Sequence, residues 1–135
     1  MWGPPGRAYI YLVYGLHHCL NAVTGPAGSP GAVLVRGGVP VVGGELIRAR
    51  RGPGPPSARL TDGPGKLCQA LALSRAEDGL DLCDRGSGLC LVDDGVPVPD
   101  AEVERTPRIG IAYAGEAASW PLRFLWRGDG ARSGS

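Results

Sequence analysis

Tyrosine, histidine and asparagine are concentrated near the start of the chain, at spacings that could do chemistry. Tyr9, Tyr11 and Tyr14 precede the adjacent pair His17 and His18. Tyrosine rings can stack on a planar ligand, and imidazoles can bind a metal or transfer a proton. Neighbouring strand residues point to opposite faces, so the two histidines cannot easily serve one centre.

Two cations occupy positions that suit the binding of an anion. Arg36 ends the apolar run at residues 32–35, where a guanidinium could hold a phosphate oxygen by two-point contact or form a structural ion pair. Lys66 follows a glycine-proline turn at a predicted helix start, where free N–H groups favour an anion. A nucleotide-binding P-loop is excluded, because Leu60 replaces its first glycine and Leu67 its Ser or Thr.

The four cysteines do not form a metal-binding pattern. They are widely spaced, without a C-x-x-C pair or a matching pair of histidines: Cys19, Cys68, Cys83 and Cys90. We therefore expect reduced, buried thiols and no bound zinc.

A β-hairpin is predicted to position the tyrosines. Residues 8–13 are aromatic and β-branched and follow a proline-glycine stretch, which indicates a strand. Tyr14 and Gly15 offer a tight turn, and residues 17–23 can return as the partner strand. Alternation places Tyr9, Tyr11 and Val13 on one face.

The remaining pattern predicts an α+β fold, a single domain over residues 1–135 with a mainly antiparallel β-sheet and a few short helices. Strands are predicted at residues 32–36 (buried on both faces), 89–92, 109–113 and 122–126, and helices at residues 43–51 and 64–73. Residues 74–87 are predicted to form an acidic connection with a possible helical turn. Residues 52–60 and 127–135 are expected to be a flexible loop and tail.

Charge is distributed unevenly although the net charge is only +1. Residues 1–66 carry +5, residues 67–104 carry −7 and the remaining residues carry +3. A polyanion could dock on the first part, although ordinary surface charge beside a solvated acidic loop is the alternative. No stretch approaches the roughly 20 apolar residues of a membrane span, and no secretory signal is evident, so we expect a cytoplasmic protein.

Several ordered motifs resemble those of the alkyladenine (3-methyladenine) DNA glycosylase family. They are GPPG at 3–6, YIYLVYGLHHCLN at 9–21, AVLVR at 32–36, GPGKLCQALA at 63–72, PRIGI at 107–111 and PLRF at 121–124. The resemblance covers essentially the whole chain. It implies a DNA-intercalating β-hairpin and an enzyme that flips a purine out of duplex DNA before cutting its bond to the sugar.

The resemblance also implies roles for residues of the hairpin. Tyr14 would be the wedge that enters the duplex, with Leu16 as its apolar neighbour. Tyr11 would stack on the flipped base, and Asn21 would line the same pocket and disfavour the amino group of normal guanine. A histidine at position 17 or 18 would belong to the DNA-facing hairpin without a catalytic role.

The same resemblance assigns Arg36 and Lys66 to backbone phosphates and leaves no catalytic residue in this chain. In the family, the general-base carboxylate is a Glu in an E-A-Y segment upstream of the hairpin, and we expect the chain to begin after that segment. Glu45, Asp93, Asp94 and Glu116 match no catalytic position.

The resulting hypothesis is a monomeric base-excision repair hydrolase without metal or organic cofactor. Its partner would be double-stranded DNA containing alkylated or deaminated purines, and in a bacterium it would be associated with the nucleoid. The activity of this chain is expected to be weak or absent. The alternatives are a catalytically inactive damaged-DNA-binding remnant and a basic structural or protein-interaction module.

Overall fold

A computed structural model describes residues 3–127 of the chain. The chain forms two compact units, and the boundary between them follows Asp93. Both units contain antiparallel strands and short helices, which confirms the predicted α+β class. The single domain over residues 1–135 stays a prediction, and residues 128–135 of the expected tail lie outside the described residues.

The first unit is built on a three-stranded antiparallel sheet in the order β1-β2-β3. Its strands are β1 (Ala8–Val13), β2 (His17–Val23) and β3 (Ala32–Leu34). The predicted hairpin of β1 and β2 is therefore confirmed, with Val13 opposite His17 and Ala8 opposite Ala22.

Two helices follow the sheet. Helix α1 (Gly44–Arg51) agrees with the predicted basic helix, and α2 (Pro64–Ala70) is shorter than predicted. Leu71 already departs from helical geometry, and Ala72 has a positive φ of 54°, which ends α2. Short 3₁₀ helices also form at Ser57–Arg59, within the predicted loop, and at Arg75–Glu77, in the acidic connection.

The core lies between the hairpin, α2 and the segment that follows it. Ala8, Ile10 and Leu20 of the hairpin pack with Cys68 of α2 and with residues farther along the chain, Leu73 and Leu82. A second cluster joins the helices: Ile47, Leu60 and Ala70. Burial of these apolar groups orders the sheet against α2.

The outer edge of β1 is paired with the segment at residues 78–82. The Ala8 N–H donates to the Leu80 carbonyl at 2.8 Å, and the Leu82 N–H donates to the Gly6 carbonyl at 2.8 Å. The Asp78 carboxylate accepts the Ile10 N–H at 2.8 Å. Residues 6–10, the part of the hairpin farthest from its turn, are thus paired on both sides, with β2 and with this segment.

The third strand corrects one prediction. The strand predicted at residues 32–36 ends at Leu34, and Val33 is exposed, so burial on both faces was wrong. The physical reason is that β3 is the edge strand of the sheet: Val33 lies on the core face, opposite Ala22, but the buried core cluster does not extend to any residue of β3.

The second unit contains β4 (Val103–Thr106) and β5 (Arg123–Trp126), which pair antiparallel. β5 was predicted, whereas β4 was not. The strand predicted at residues 109–113 was wrong, because Gly110 has a φ of 75° and a 3₁₀ element, Ala112–Ser119, begins there. The strand predicted at residues 89–92, in the first unit, was also wrong: its Leu91 N–H bonds to the Leu82 carbonyl without forming a strand ladder.

No helix in the described part of the chain is long and apolar enough to cross a membrane.

Candidate nucleic-acid interface

The tip of the hairpin presents two large apolar side chains to solvent. Tyr14 is 93% exposed and Leu16 is 76% exposed. The Leu16 N–H donates to the Val13 carbonyl at 3.0 Å, and the central residues Tyr14 and Gly15 both have positive φ, 53° and 66°. This is the φ pattern of a hairpin turn whose twist matches its strands. The turn holds the Tyr14 ring outside the core.

The register of the hairpin brings Tyr11 and Asn21 to one face. Tyr9 lies opposite Asn21, and Tyr11 lies opposite Cys19, so these side chains share a side of the sheet. The Tyr9 and Tyr11 ring centroids are 5.5 Å apart with an interplanar angle of 47°. The Asn21 amide is only 7% exposed and donates to the Tyr9 carbonyl at 3.3 Å.

Arg36 follows β3, the strand that pairs with β2 beside Asn21. Burial raises the pKa of the Cys19 thiol, and the positive charge of Arg36 partly opposes that rise. Leu34 lies opposite Asn21 and the Val35 N–H donates to the Leu20 carbonyl at 2.9 Å, so the chain that leads to Arg36 pairs with the strand that carries Asn21. Three residues were predicted for this site: Tyr11, Asn21 and Arg36. Their roles stay predictions.

Lys66 is already engaged by a carboxylate. Its ammonium lies 2.8 Å from Asp62 Oδ1, four residues earlier, and both side chains are about two-fifths exposed. The hydrogen bond from Lys66 lowers the pKa of the Asp62 carboxyl, and the charges of Lys66 and Arg59 lower it further. A phosphate at Lys66 would have to compete with Asp62.

Two close approaches around these residues were missed by the sequence interpretation. A β-carbon added to Gly65 would lie 3.1 Å from the His17 β-carbon and 3.2 Å from its Nδ1. A β-carbon added to Gly37 would lie 2.6 Å from the Thr61 carbonyl oxygen. The glycines were visible in the sequence, but their partners are more than 20 residues away.

The arginines of α1 bind backbone carbonyls. Arg50 donates to the Ala70 carbonyl and Arg51 Nε to the Leu60 carbonyl, each at 3.0 Å. Arg48 donates to Gly52, at 3.2 Å, and to Pro55. These side chains tie the loop after α1 and the end of α2 to the basic helix, so much of the positive charge of the first 66 residues also has a structural role.

All four cysteines are free, as predicted. Cys19 and Cys68 are buried, but the prediction of burial was wrong for Cys83, which is exposed, and for Cys90, which is partly exposed. Burial is the main cause that raises the pKa of Cys68, and the neighbouring Cys19 adds to it. Among residues 3–127, no group of three or more His, Cys, Asp or Glu side chains could hold a metal ion.

Comparison with protein families gives one match over nearly the whole chain. The family described as methylpurine-DNA glycosylase (MPG) matches residues 1–130. The chain belongs to the methylpurine-DNA glycosylase family. The predicted resemblance is thereby confirmed, since this is the family to which the hairpin motif and the motifs after it were assigned.

Curated relatives of this methylpurine-DNA glycosylase family member carry the provisional name 3-methyladenine DNA glycosylase. The relative from Methanocella arvoryzae is 45% identical over 124 residues, which are 92% of this chain and 60% of the relative. The relative from Myxococcus xanthus is 47% identical over 129 residues, 96% of this chain and 59% of the relative. The chain thus spans about three-fifths of the length of these relatives.

Proposed function

We propose that this chain recognises damaged purines in double-stranded DNA for base-excision repair, as the lesion-binding part of a glycosylase. The reaction of that glycosylase is hydrolysis of the N-glycosidic bond of alkylated or deaminated purines. The observation that carries the proposal is the hairpin itself, which combines an exposed Tyr14 at its tip with Tyr11 and the buried Asn21 on one face.

The first step is the opening of the duplex. A base inside the stack cannot reach an enzyme's pocket, so the nucleotide must be extruded and its gap filled. Tyr14 and Leu16 stand clear of the protein at the turn and can fill such a gap. Contact between these side chains and the unstacked bases offsets part of the unstacking free energy.

The second step is the reading of the extruded base. Stacking on Tyr11 favours a planar purine, especially one whose alkylation gives it positive charge. Asn21 is buried and held by the Tyr9 carbonyl, so its position is fixed before the base arrives. A fixed polar group can reject normal guanine, because the exocyclic amino group would lose its hydrogen bonds to water there.

The third step is the retention of the strand. Arg36, which follows the strand paired with β2, can bind a phosphate of the extruded nucleotide in two-point contact. Lys66 binds a second phosphate once that phosphate displaces Asp62. Both contacts are independent of sequence and weaken with added salt.

Hydrolysis also needs a carboxylate to activate water and to balance the cation-like sugar. The E-A-Y motif that carries this carboxylate in the family has no match in these 135 residues. We therefore assign no catalytic role to any carboxylate of this chain, and we propose that the chain by itself binds lesions without releasing the base.

The test measures binding and base release separately. Fluorescence anisotropy compares duplexes that contain hypoxanthine, an abasic-site analogue or no lesion, and chromatography of the same mixtures detects free base. We expect preferential binding of the two modified duplexes and no free base. Equal affinity for all three duplexes would overturn lesion recognition in favour of a general basic module, and rapid base release would overturn the assignment of no catalytic carboxylate.

A further inference from the structure

Arg36 is held between two backbone anchors. On its N-terminal side, the Val35 N–H donates to the Leu20 carbonyl of β2 at 2.9 Å. On its C-terminal side, the Gly38 N–H donates to the Thr61 carbonyl at 3.2 Å. The chain between these bonds is only a few residues long, so the backbone of Arg36 has little freedom.

Thr61 makes the second anchor with its side chain as well as its backbone. Its hydroxyl donates to the Gly38 carbonyl at 2.5 Å, so Thr61 and Gly38 exchange two hydrogen bonds. Thr61 is only 6% exposed, and it is one of two buried polar residues in the described part of the chain, with Asn21. A buried hydroxyl without a partner is costly, which makes this reciprocal contact firm.

Gly37 allows the contact to be this close. A β-carbon at position 37 would lie 2.6 Å from the Thr61 carbonyl oxygen and 3.4 Å from the Asp62 α-carbon. Real β-carbons do not approach backbone this closely, so any side chain at position 37 would push the segment away from Thr61. The pairing therefore brings the residue after Arg36 against the residue before the Asp62–Lys66 ion pair.

We propose that Thr61 is the positioning residue for Arg36, because its reciprocal bonds to Gly38 fix the backbone from which the Arg36 side chain extends. The inference rests on the proposed function, since it assigns Arg36 a phosphate to bind. Thr61 itself does not touch DNA. Its contacts hold the segment that carries Arg36 against the segment at residues 61–62.

The test is the salt dependence of DNA binding in Thr61→Val, Thr61→Ser and Arg36→Gln. Each lost phosphate contact lowers the slope of log affinity against log salt by about 0.9. Thr61→Val has nearly the shape of threonine but no hydroxyl, and we expect it to lose the same slope as Arg36→Gln. The double variant should lose no more than either single one, and Thr61→Ser should retain the wild-type slope.

A stability control separates positioning from general loosening. Ser74→Ala removes a capping side chain that accepts the Ala76 N–H at 3.2 Å in a different part of the unit. It should lower the melting temperature and leave the salt slope unchanged. If Thr61→Val does not fold, Gly37→Ala takes its place, because it retains the hydroxyl but displaces the segment and should lose the same slope.

The outcomes are distinct. A wild-type slope in Thr61→Val or its substitute, together with a reduced slope in Arg36→Gln, would overturn the positioning role. A wild-type slope in Arg36→Gln would overturn both that role and the phosphate contact. A chain that does not prefer lesions would overturn only the proposed recognition of damage, because the slopes on undamaged duplex still report the Arg36 contact.

Discussion

Gly65 of α2 lies against His17 of β2 so closely that a β-carbon on Gly65 would be 3.1 Å from the His17 β-carbon. His17 is the first residue of the strand that leaves the hairpin tip. The start of α2 therefore supports the strand immediately below Tyr14 and Leu16. The orientation of the exposed tip depends on this contact as well as on the turn.

Gly65→Ala should lower both the melting temperature and the affinity for lesion-bearing duplex. Helix propensity alone would favour alanine by up to about 1 kcal/mol, so a loss of stability would report the clash with His17. Thermal melting and anisotropy measure the two effects. The double variant Gly65→Ala, His17→Ala removes the contacts with the imidazole but keeps the His17 β-carbon, so it should recover part of the lost stability. A Gly65→Ala chain with a raised melting temperature and wild-type affinity would contradict the support role.

Tyr11→Ala should reduce the preference for hypoxanthine-bearing over undamaged duplex. Stacking on an aromatic side chain contributes about 1–3 kcal/mol per base, which corresponds to about 5- to 150-fold in affinity. Competition binding with both duplexes measures the ratio. Tyr9→Phe is the matched control, because it retains the neighbouring ring, and it should keep the wild-type preference. An unchanged ratio in Tyr11→Ala would remove this residue from the base pocket.

Tyr14→Ala should abolish base extrusion with little effect on folding. The side chain is almost fully exposed, and surface substitutions of this kind usually change stability by about 0.5 kcal/mol or less. 2-Aminopurine placed beside the lesion becomes fluorescent when it unstacks and so reports extrusion. Tyr113→Ala removes a similarly exposed tyrosine from the second unit and serves as the control. Normal fluorescence gain in Tyr14→Ala would argue against a wedge at this position.

Asp62→Asn should raise the affinity for any duplex at neutral pH, since it frees the Lys66 ammonium. The effect on stability should be small, below about 1 kcal/mol, because both partners are substantially exposed. The lowered pKa of Asp62 means that the ion pair stabilises the fold above the ordinary carboxyl pKa of 3.8 and loses this effect as pH falls through the lowered value. Fluorescence anisotropy at pH 7 measures the affinity for DNA, and thermal melts from pH 7 to pH 3 measure the pH dependence of stability. Unchanged affinity would show that Lys66 contacts no phosphate.

Cys83 should react with a thiol reagent well before Cys19 or Cys68 in the native protein. Cys83 is exposed, whereas burial raises the pKa of the other two thiols and leaves less reactive thiolate near pH 8. Mass spectrometry after timed alkylation measures the order. In urea all of them should react at similar rates. Early native modification of Cys68 would contradict its position in the core.

The hairpin could be predicted from sequence because its signals are local. Alternating aromatic and aliphatic residues, a Tyr-Gly turn and a second apolar run all lie within residues 8–23. The pattern failed where long-range contacts decide the conformation. The strand β4 reads Val-Glu-Arg-Thr, with little apolar character, and it is held from a distance: Arg105 lies 5.4 Å from the Phe124 ring, and the Arg127 guanidinium lies 2.7 Å from Glu104.

The residues of the site likewise differ in whether their positions could be predicted from local sequence or depend on long-range contacts. Tyr11, Asn21 and Arg36 were assigned by resemblance, and the sheet register explains why Tyr11 and Asn21 lie on one face. Thr61 was not found, because a threonine in a polar loop has no local signal and acquires its contacts only when residues 37–38 fold against it. Pairs of glycines such as Gly37 and Gly38 are the one hint that sequence offers for such an approach.

The pairing of residues 78–82 along β1 has a consequence for behaviour in solution. A strand whose amide groups are unpaired is a template for the strands of other molecules and promotes aggregation. Between Gly6 and Ile10, the outward-facing backbone groups of β1 are paired with residues 78–82 of the same chain. The negatively charged Asp78 carboxylate accepts the Ile10 N–H. Residues 6–10 of the tyrosine-rich hairpin are therefore protected from pairing with the strands of other molecules along this edge.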